Sequence, residues 1–107
     1  MIGTDKIRHM ALFWLNNPDS AEDRAMLAEG LETLRAIRQV KTLHIGMPAA
    51  TEARDVVDHS WNVSESMTFD SPADQATYQT DPVHQDFIAR CGHLWARVLV
   101  YDIADFA

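Results

Sequence analysis

Three side chains stand out as able to move protons: His84, Tyr78 and His9. His84 lies two residues after Pro82, in the first turn of the helix that Asp81-Pro82 announces. The positive end of a helix dipole disfavours another positive charge, so this imidazole is predicted to stay neutral near pH 7, the form that accepts a proton. Tyr78, near the end of the preceding helical segment, can turn its hydroxyl toward the same space, as a proton donor or as a structural link. His9 shares the parity of Ile7, Ala11 and Phe13, an imidazole among apolar neighbours whose hydrogen-bond partner is either functional or merely structural. A base poised near neutral pH, a phenol and a dry pocket suit proton abstraction next to a carbonyl, the step that begins an aldol closure or an enolisation. The same residues equally suit a pocket that only binds, hydrogen-bonding an apolar small ligand or the partner chain.

Other reactive types carry less. Cys91, the single cysteine, sits among Phe87, Ile88 and Leu94 and reads as a buried small hydrophobe. His44, His59 and His93 have neither helical ligand spacing nor nearby cysteine pairs, so no metal site is expected unless a carboxylate joins His9 and His84. Four glycines leave no room for a phosphate-cradling loop, and no cofactor is expected. Trp14, Trp61 and Trp95 read as core or dimer-contact residues.

These side chains must be held by strands and helices that the patterning outlines. Lys6 to Leu15 alternates in two sets that are both largely apolar, the mark of a strand covered on both sides. Asn17 to Ser20 supplies helix-capping chemistry, and Leu27, Leu31, Leu34 and Ile37 or Val40 form the stripe of a helix of about five turns. Gly30 inside it predicts close packing against a strand. Val40 to Met47 is a second strand, and Pro48 to Asp58 a loop long enough for a lid or a dimer arm. Trp61 to Phe69 places Trp61, Val63, Met67 and Phe69 on one side and Asn62, Ser64, Ser66 and Thr68 on the other. Those small polar groups are expected to line a cavity or interface. If they share the side of His9, one surface serves as both dimer interface and pocket lining. Ser71-Pro72 and Asp81-Pro82 each start a helix, with Gly92 at the stop, and Arg97 to Ile103 is the last strand.

The order β-α-β-β-α-β, with the second helix broken at Pro82, is that of a ferredoxin-like α+β fold with a four-stranded antiparallel sheet. Two helices cover one face of that sheet. The other, still apolar, is expected to be covered by a second copy of the chain. The 107 residues suffice for one core, and neither a linker nor a low-complexity tract divides them, so one domain is expected over residues 1–107 with its core at about 6–103. A net charge of -7 argues against nucleic acid and anionic membrane as partners. The longest apolar stretch near the N-terminus, Met10 to Leu15, is too short to span a bilayer and no basic-then-apolar leader precedes it, so a cytoplasmic location is expected.

Ile7-Arg8-His9-Met10 in the first strand, Phe69-Asp70-Ser71 before the second helix, Tyr78 to His84 across the break and Leu99-Val100-Tyr101-Asp102 near the end together carry a resemblance. From about Lys6 to Ile103 the chain resembles the stress-responsive A/B barrel domain (Dabb) family of the dimeric α/β-barrel superfamily. Most members have no established biochemical role. The resemblance implies a homodimer in which two sheets pack face to face and each subunit's interior face lines a pocket. It also implies cyclase, lyase or isomerase chemistry as one activity, because a plant polyketide cyclase of the family performs an aldol reaction with a histidine and a tyrosine. That cyclase's Tyr-x-x-x-Pro-x-His segment falls on Tyr78, Pro82 and His84, and its first-strand histidine on His9. Its third-strand histidine falls on Val63, and His59 lies four residues too early to replace it. Haem-binding and other monooxygenases of the superfamily are a further possibility that nothing in this chain favours.

Overall fold

Alternation of buried and accessible side chains over nine residues makes Ile7–Leu15 a strand, β1, with Ile7, His9, Ala11, Phe13 and Leu15 all buried on one side. The computed structural model describes residues 6–106; the patternless start from Met1 to Asp5 lies outside the described residues. After β1 come α1 (Ala21–Glu32) with a 3-10 turn (Thr33–Ala36), β2 (Thr42–Gly46) and β3 (Val63–Phe69). The chain continues through α2 (Pro72–Thr80), α3 (Pro82–Cys91), a second 3-10 turn (Gly92–Leu94) and β4 (Trp95–Ala104). The strands form one antiparallel sheet in the order β2-β3-β1-β4, the ferredoxin-like arrangement.

The turns form where capping chemistry places them. Ser20 accepts from the backbone N–H of Asp23 at 3.1 Å, and Ser71 does the same for Asp74 at 3.1 Å. Asp81 both closes α2 and opens α3, its Oδ1 accepting from Val83 N–H at 2.8 Å. Pro72 and Pro82 occupy the first helical position after these caps, where the missing N–H has no intrahelical acceptor to lose. Leu27, Leu31, Leu34 and Ile37 are all buried, so the apolar stripe is present, but α1 yields to a 3-10 turn before the fifth turn expected of it. Each such leucine contributes roughly 1.5–3 kcal/mol by burial.

Gly30 packs against α3, not against a strand. A Cβ there would lie 2.5 Å from Cys91 Sγ and 3.3 Å from a Phe87 ring carbon. The segment between β2 and β3 spans residues 47–62, longer than the loop expected from composition. Asn62 does not join β3. Its Oδ1 instead accepts from Leu15 N–H at 2.8 Å, and Trp61 Nε1 donates to the carbonyl of Asp58. Among the described residues no helix is long and apolar enough to cross a membrane.

Register decides which side each strand residue takes. Ile7 lies opposite Phe69, His9 opposite Met67, Ala11 opposite Glu65 and Phe13 opposite Val63. Directly opposed residues of an antiparallel pair share a face. His9 therefore looks toward the helices with Glu65, Met67 and Phe69. Ser64, Ser66 and Thr68 lie on the opposite face with Arg8, Met10 and Leu12, so the small hydroxyls and His9 do not share a surface. That uncovered face carries half-buried Met10, Leu12 and Trp14 and exposed Tyr101 and Ile103.

Candidate functional site

Two charged or titratable side chains, His9 and Glu65, are each only 4% exposed on the helix-covered face. The sheet register places Asp102 of β4 opposite His9. His9 Nδ1 lies 2.7 Å from Asp102 Oδ1, and its Nε2 lies 3.3 Å from Glu65 Oε1. Gln75 of α2 closes the group, its Nε2 donating to Asp102 Oδ1 at 2.9 Å and standing 3.2 Å from His9 Nδ1. An imidazole with a carboxylate at each nitrogen can donate to both only when protonated. Burial pushes the His9 pKa down, but the hydrogen bonds and negative charges of Glu65 and Asp102 outweigh it, and the net shift is upward from 6.5.

His84 occupies the third position of α3, fixed by the Asp81 cap and the turn at Pro82. Its ring packs 4.6 Å from the Tyr78 ring, which in turn lies 6.1 Å from His9 and 5.0 Å from Phe69. His84 Nδ1 is buried without a hydrogen-bond partner among the described residues. Burial is the largest influence on this histidine and lowers its pKa, ahead of the opposing pull of the Glu65 charge and the Gln79 carbonyl. The neutral ring is thus favoured chiefly by desolvation. Burial, followed by the Glu65 charge, pushes the Tyr78 phenol well above its ordinary range, so it stays protonated.

Between the sheet and α3 lies a cavity of about 190 Å³, bordered by His9, Glu65, Gln79 and His84 and by apolar Ala11, Phe13, Phe87, Ile88, Trp95, Val98 and Val100. An apolar cavity of about 150 Å³ takes a benzene ring, so this one suits a ligand of little more than that size. Glu65 Oε2, like His84 Nδ1, is buried without a hydrogen-bond partner among the described residues. Hollows of about 310 and 320 Å³ lie against α1, but neither gathers histidines with carboxylates. A concavity of about 250 Å³ on the uncovered face includes Arg8, Thr42, His44, Ser66 and Thr68 among its walls.

The structure thus brings His9, Tyr78 and His84 into one cluster, with a difference in rank. His9 and His84 border the cavity, whereas Tyr78, 1% exposed, stands behind them against Phe69. Sequence reasoning passed over Glu65, Gln75 and Asp102 as site residues. Glu65 had a signal: it is the one charged residue in the parity of Val63, Met67 and Phe69. Asp102 and Gln75 gave none, since their proximity to His9 comes from strand pairing and helix packing. His44 lies on the uncovered face, and His59 bonds Thr51 Oγ1 at 2.9 Å within the long loop. Among the described residues no three His, Cys, Asp or Glu side chains are grouped to hold a metal ion.

Comparison with known proteins extends these observations. The family model described as Stress Responsive A/B Barrel Domain matches residues 7–105. Among solved structures, a Dabb family protein with a ferredoxin-like fold from Mesorhizobium loti is similar at 21% identity and a TM-score of 0.77, covering 95% of this chain and 98% of that one. A dimeric ferredoxin-like protein of unknown function from Thermobifida fusca is similar at 20% identity and a TM-score of 0.75, covering 97% and 94%. The hydroxynitrile lyase of Passiflora edulis is similar at 16% identity and a TM-score of 0.79, covering 95% and 94%. No curated protein matches the sequence.

Proposed function

This chain belongs to the stress-responsive A/B barrel domain family, and on that premise we propose that it is a homodimer whose sheet-to-helix cavity transfers a proton on a small molecule next to a carbonyl, as a cyclase, lyase or isomerase. The observation that carries the reading is the pair of buried, unpartnered polar atoms, His84 Nδ1 and Glu65 Oε2, on residues that border one cavity. Leaving such a group unpaired costs roughly 1–3 kcal/mol, a cost that a bound molecule offsets by hydrogen-bonding to it.

In this reading the neutral imidazole of His84 takes a proton from the carbon beside the carbonyl. The C–H electron pair passes into the carbonyl as an enolate, paired with the imidazolium that His84 has become until that ring returns a proton to carbon or oxygen. Tyr78 holds the His84 ring in place from behind. The likeness to a hydroxynitrile lyase supports a fold able to carry lyase chemistry. The homodimer reading rests on the uncovered face with Met10, Leu12, Trp14, Tyr101 and Ile103, and on solved relatives described as dimeric. The dimer would cover that face and leave the cavity on the other side of the sheet.

Deuterium exchange into the α-position of small aryl ketones in D₂O, followed by NMR, tests the reaction. The native protein is expected to accelerate exchange, His84→Ala to return it to background and Tyr78→Ala, which removes the ring packed on His84, to slow it. If neither substitution changes the rate, the assignment is wrong. A second reading, non-catalytic binding of a small apolar ligand, is favoured by the placement of Tyr78 away from the cavity wall. It predicts thermal stabilisation by such ketones without exchange.

A further inference from the structure

We propose that Glu65 sets the ligand class of this cavity: an uncharged molecule of roughly monosubstituted-benzene size that donates a hydroxyl proton to Oε2, with carboxylates excluded. The inference rests on the cavity being a ligand site, not on any particular reaction there. Glu65 is held rigidly, 4% exposed on the central part of β3, with Oε1 committed to His9 Nε2 at 3.3 Å. Its other oxygen has no partner among the described residues, and the residue borders the cavity. A carboxylate only accepts hydrogen bonds, so what meets Oε2 must be a donor.

Charge narrows the class further. Among the described residues no lysine or arginine borders the cavity. Glu65 and Asp102 outnumber His9 as charged groups in the cluster even when His9 carries its proton, so an entering anion meets a like charge with no cation free to receive it. Phe87, Ile88, Trp95, Val98 and Val100 border the same cavity and offer apolar surface for the body of the ligand. The volume of about 190 Å³ is enough for a benzene-sized ring.

Three probes of nearly equal size separate the elements of this claim: benzyl alcohol (a donor), acetophenone (an acceptor only) and benzoate (an anion), titrated at pH 7.5 with binding followed by backbone amide shifts around the cavity. The native protein is expected to bind benzyl alcohol about tenfold more tightly than acetophenone, as a hydrogen bond to a charged acceptor allows, and to show no saturable response to benzoate. In Glu65→Gln the alcohol's advantage should fall below about threefold and benzoate should bind. Should that variant not fold, Glu65→Asp keeps the charge while withdrawing the oxygen: benzoate should remain excluded and the alcohol's advantage should vanish. Equal binding of alcohol and benzoate by the native protein, or a preference unchanged in the folded variant, overturns the proposal alone. Failure of all three probes to bind overturns the cavity as a ligand site, and this proposal with it.

Discussion

Replacing His9 by leucine should destabilise the protein severely, although leucine is the more natural residue for an apolar strand face. The His9 and Glu65 side chains are each about 5% exposed, and among the described residues His9 Nε2 at 3.3 Å is the only partner that Glu65 has for Oε1, its Oε2 having none. Without the imidazole, a buried carboxylate is left wholly unpaired. Removing one member of a buried ion pair costs ~3–5 kcal/mol. Asp102, about half exposed, keeps its bond from Gln75 and needs no new partner, so the cost should fall near the lower end, about 3 kcal/mol. Set against a total of roughly 5–15 kcal/mol, this is a large fraction. The double substitution His9→Leu/Glu65→Leu should recover most of the loss or exceed the native stability, because an apolar pair of similar volume replaces the charges. Urea unfolding followed by tryptophan fluorescence measures all three, at one fixed protein concentration, since subunit association adds to apparent stability. A loss below about 1 kcal/mol for His9→Leu, or a double variant no more stable than the single one, would refute the reasoning. A double variant that is stable but binds no ligand would show the polar cluster to be kept for use at the expense of stability.

Other expectations follow from the same geometry. His9, with a folded pKa raised above 6.5, contributes stability that is fully present below that value and lost as pH rises through the higher one. His84, with a folded pKa below 6.5, contributes stability present above that value and lost as pH falls through the lower one. Urea midpoints measured across pH should therefore lose their alkaline decline in His9→Asn and part of their acid decline in His84→Gln; an unchanged profile counts against the assignment. Gly30→Ala should lower Tm, because crowding Cys91 Sγ at 2.5 Å costs ~1–3 kcal/mol and outweighs a helix-propensity gain of about 1 kcal/mol. In a Cys91→Ala background the same change should be neutral or stabilising. Asp81→Ala should cost about 1 kcal/mol as a lost cap and slow α-deuterium exchange by loosening His84, while Asp81→Asn retains both; a fully active Asp81→Ala would separate the cap from the site.

Most of the fold was legible because its boundaries are written in local chemistry. Ser71-Pro72 and Asp81-Pro82 cap and start helices wherever they stand, and the alternation in β1 and β3 needs no tertiary information. Period alone assigns residues to two rows without saying which row meets the helices. The pairing of His9 with Met67 answers that: Ser64, Ser66 and Thr68 lie on the uncovered face and His9 on the helix-covered one, so the condition that they share a side is not met. Gly30 announced a close approach but not its partner, since the placement of α3 over α1 arises from packing between distant segments. Within the site, His9, Tyr78 and His84 were accessible through residue type and helix-start signals. Glu65 was hidden in plain view as a charge in an apolar row, and Asp102 and Gln75 became neighbours of His9 only through pairing and packing.

Along an unbroken helix, residues 78 and 84 would sit about 9 Å apart along the axis and roughly 120° apart around it, their rings facing different quarters of the molecule. Because Asp81 ends one helix and begins the next, the chain turns a corner and the two rings meet at 4.6 Å. The relation between imidazole and phenol is therefore stored in the position of a bend, not in either helix. Moving that bend by a single residue would re-aim the imidazole while leaving the sheet, the carboxylates and the apolar wall where they are. A library that shifts the corner, rather than one that varies the pocket's side chains, is the shorter route to altering what this scaffold can do.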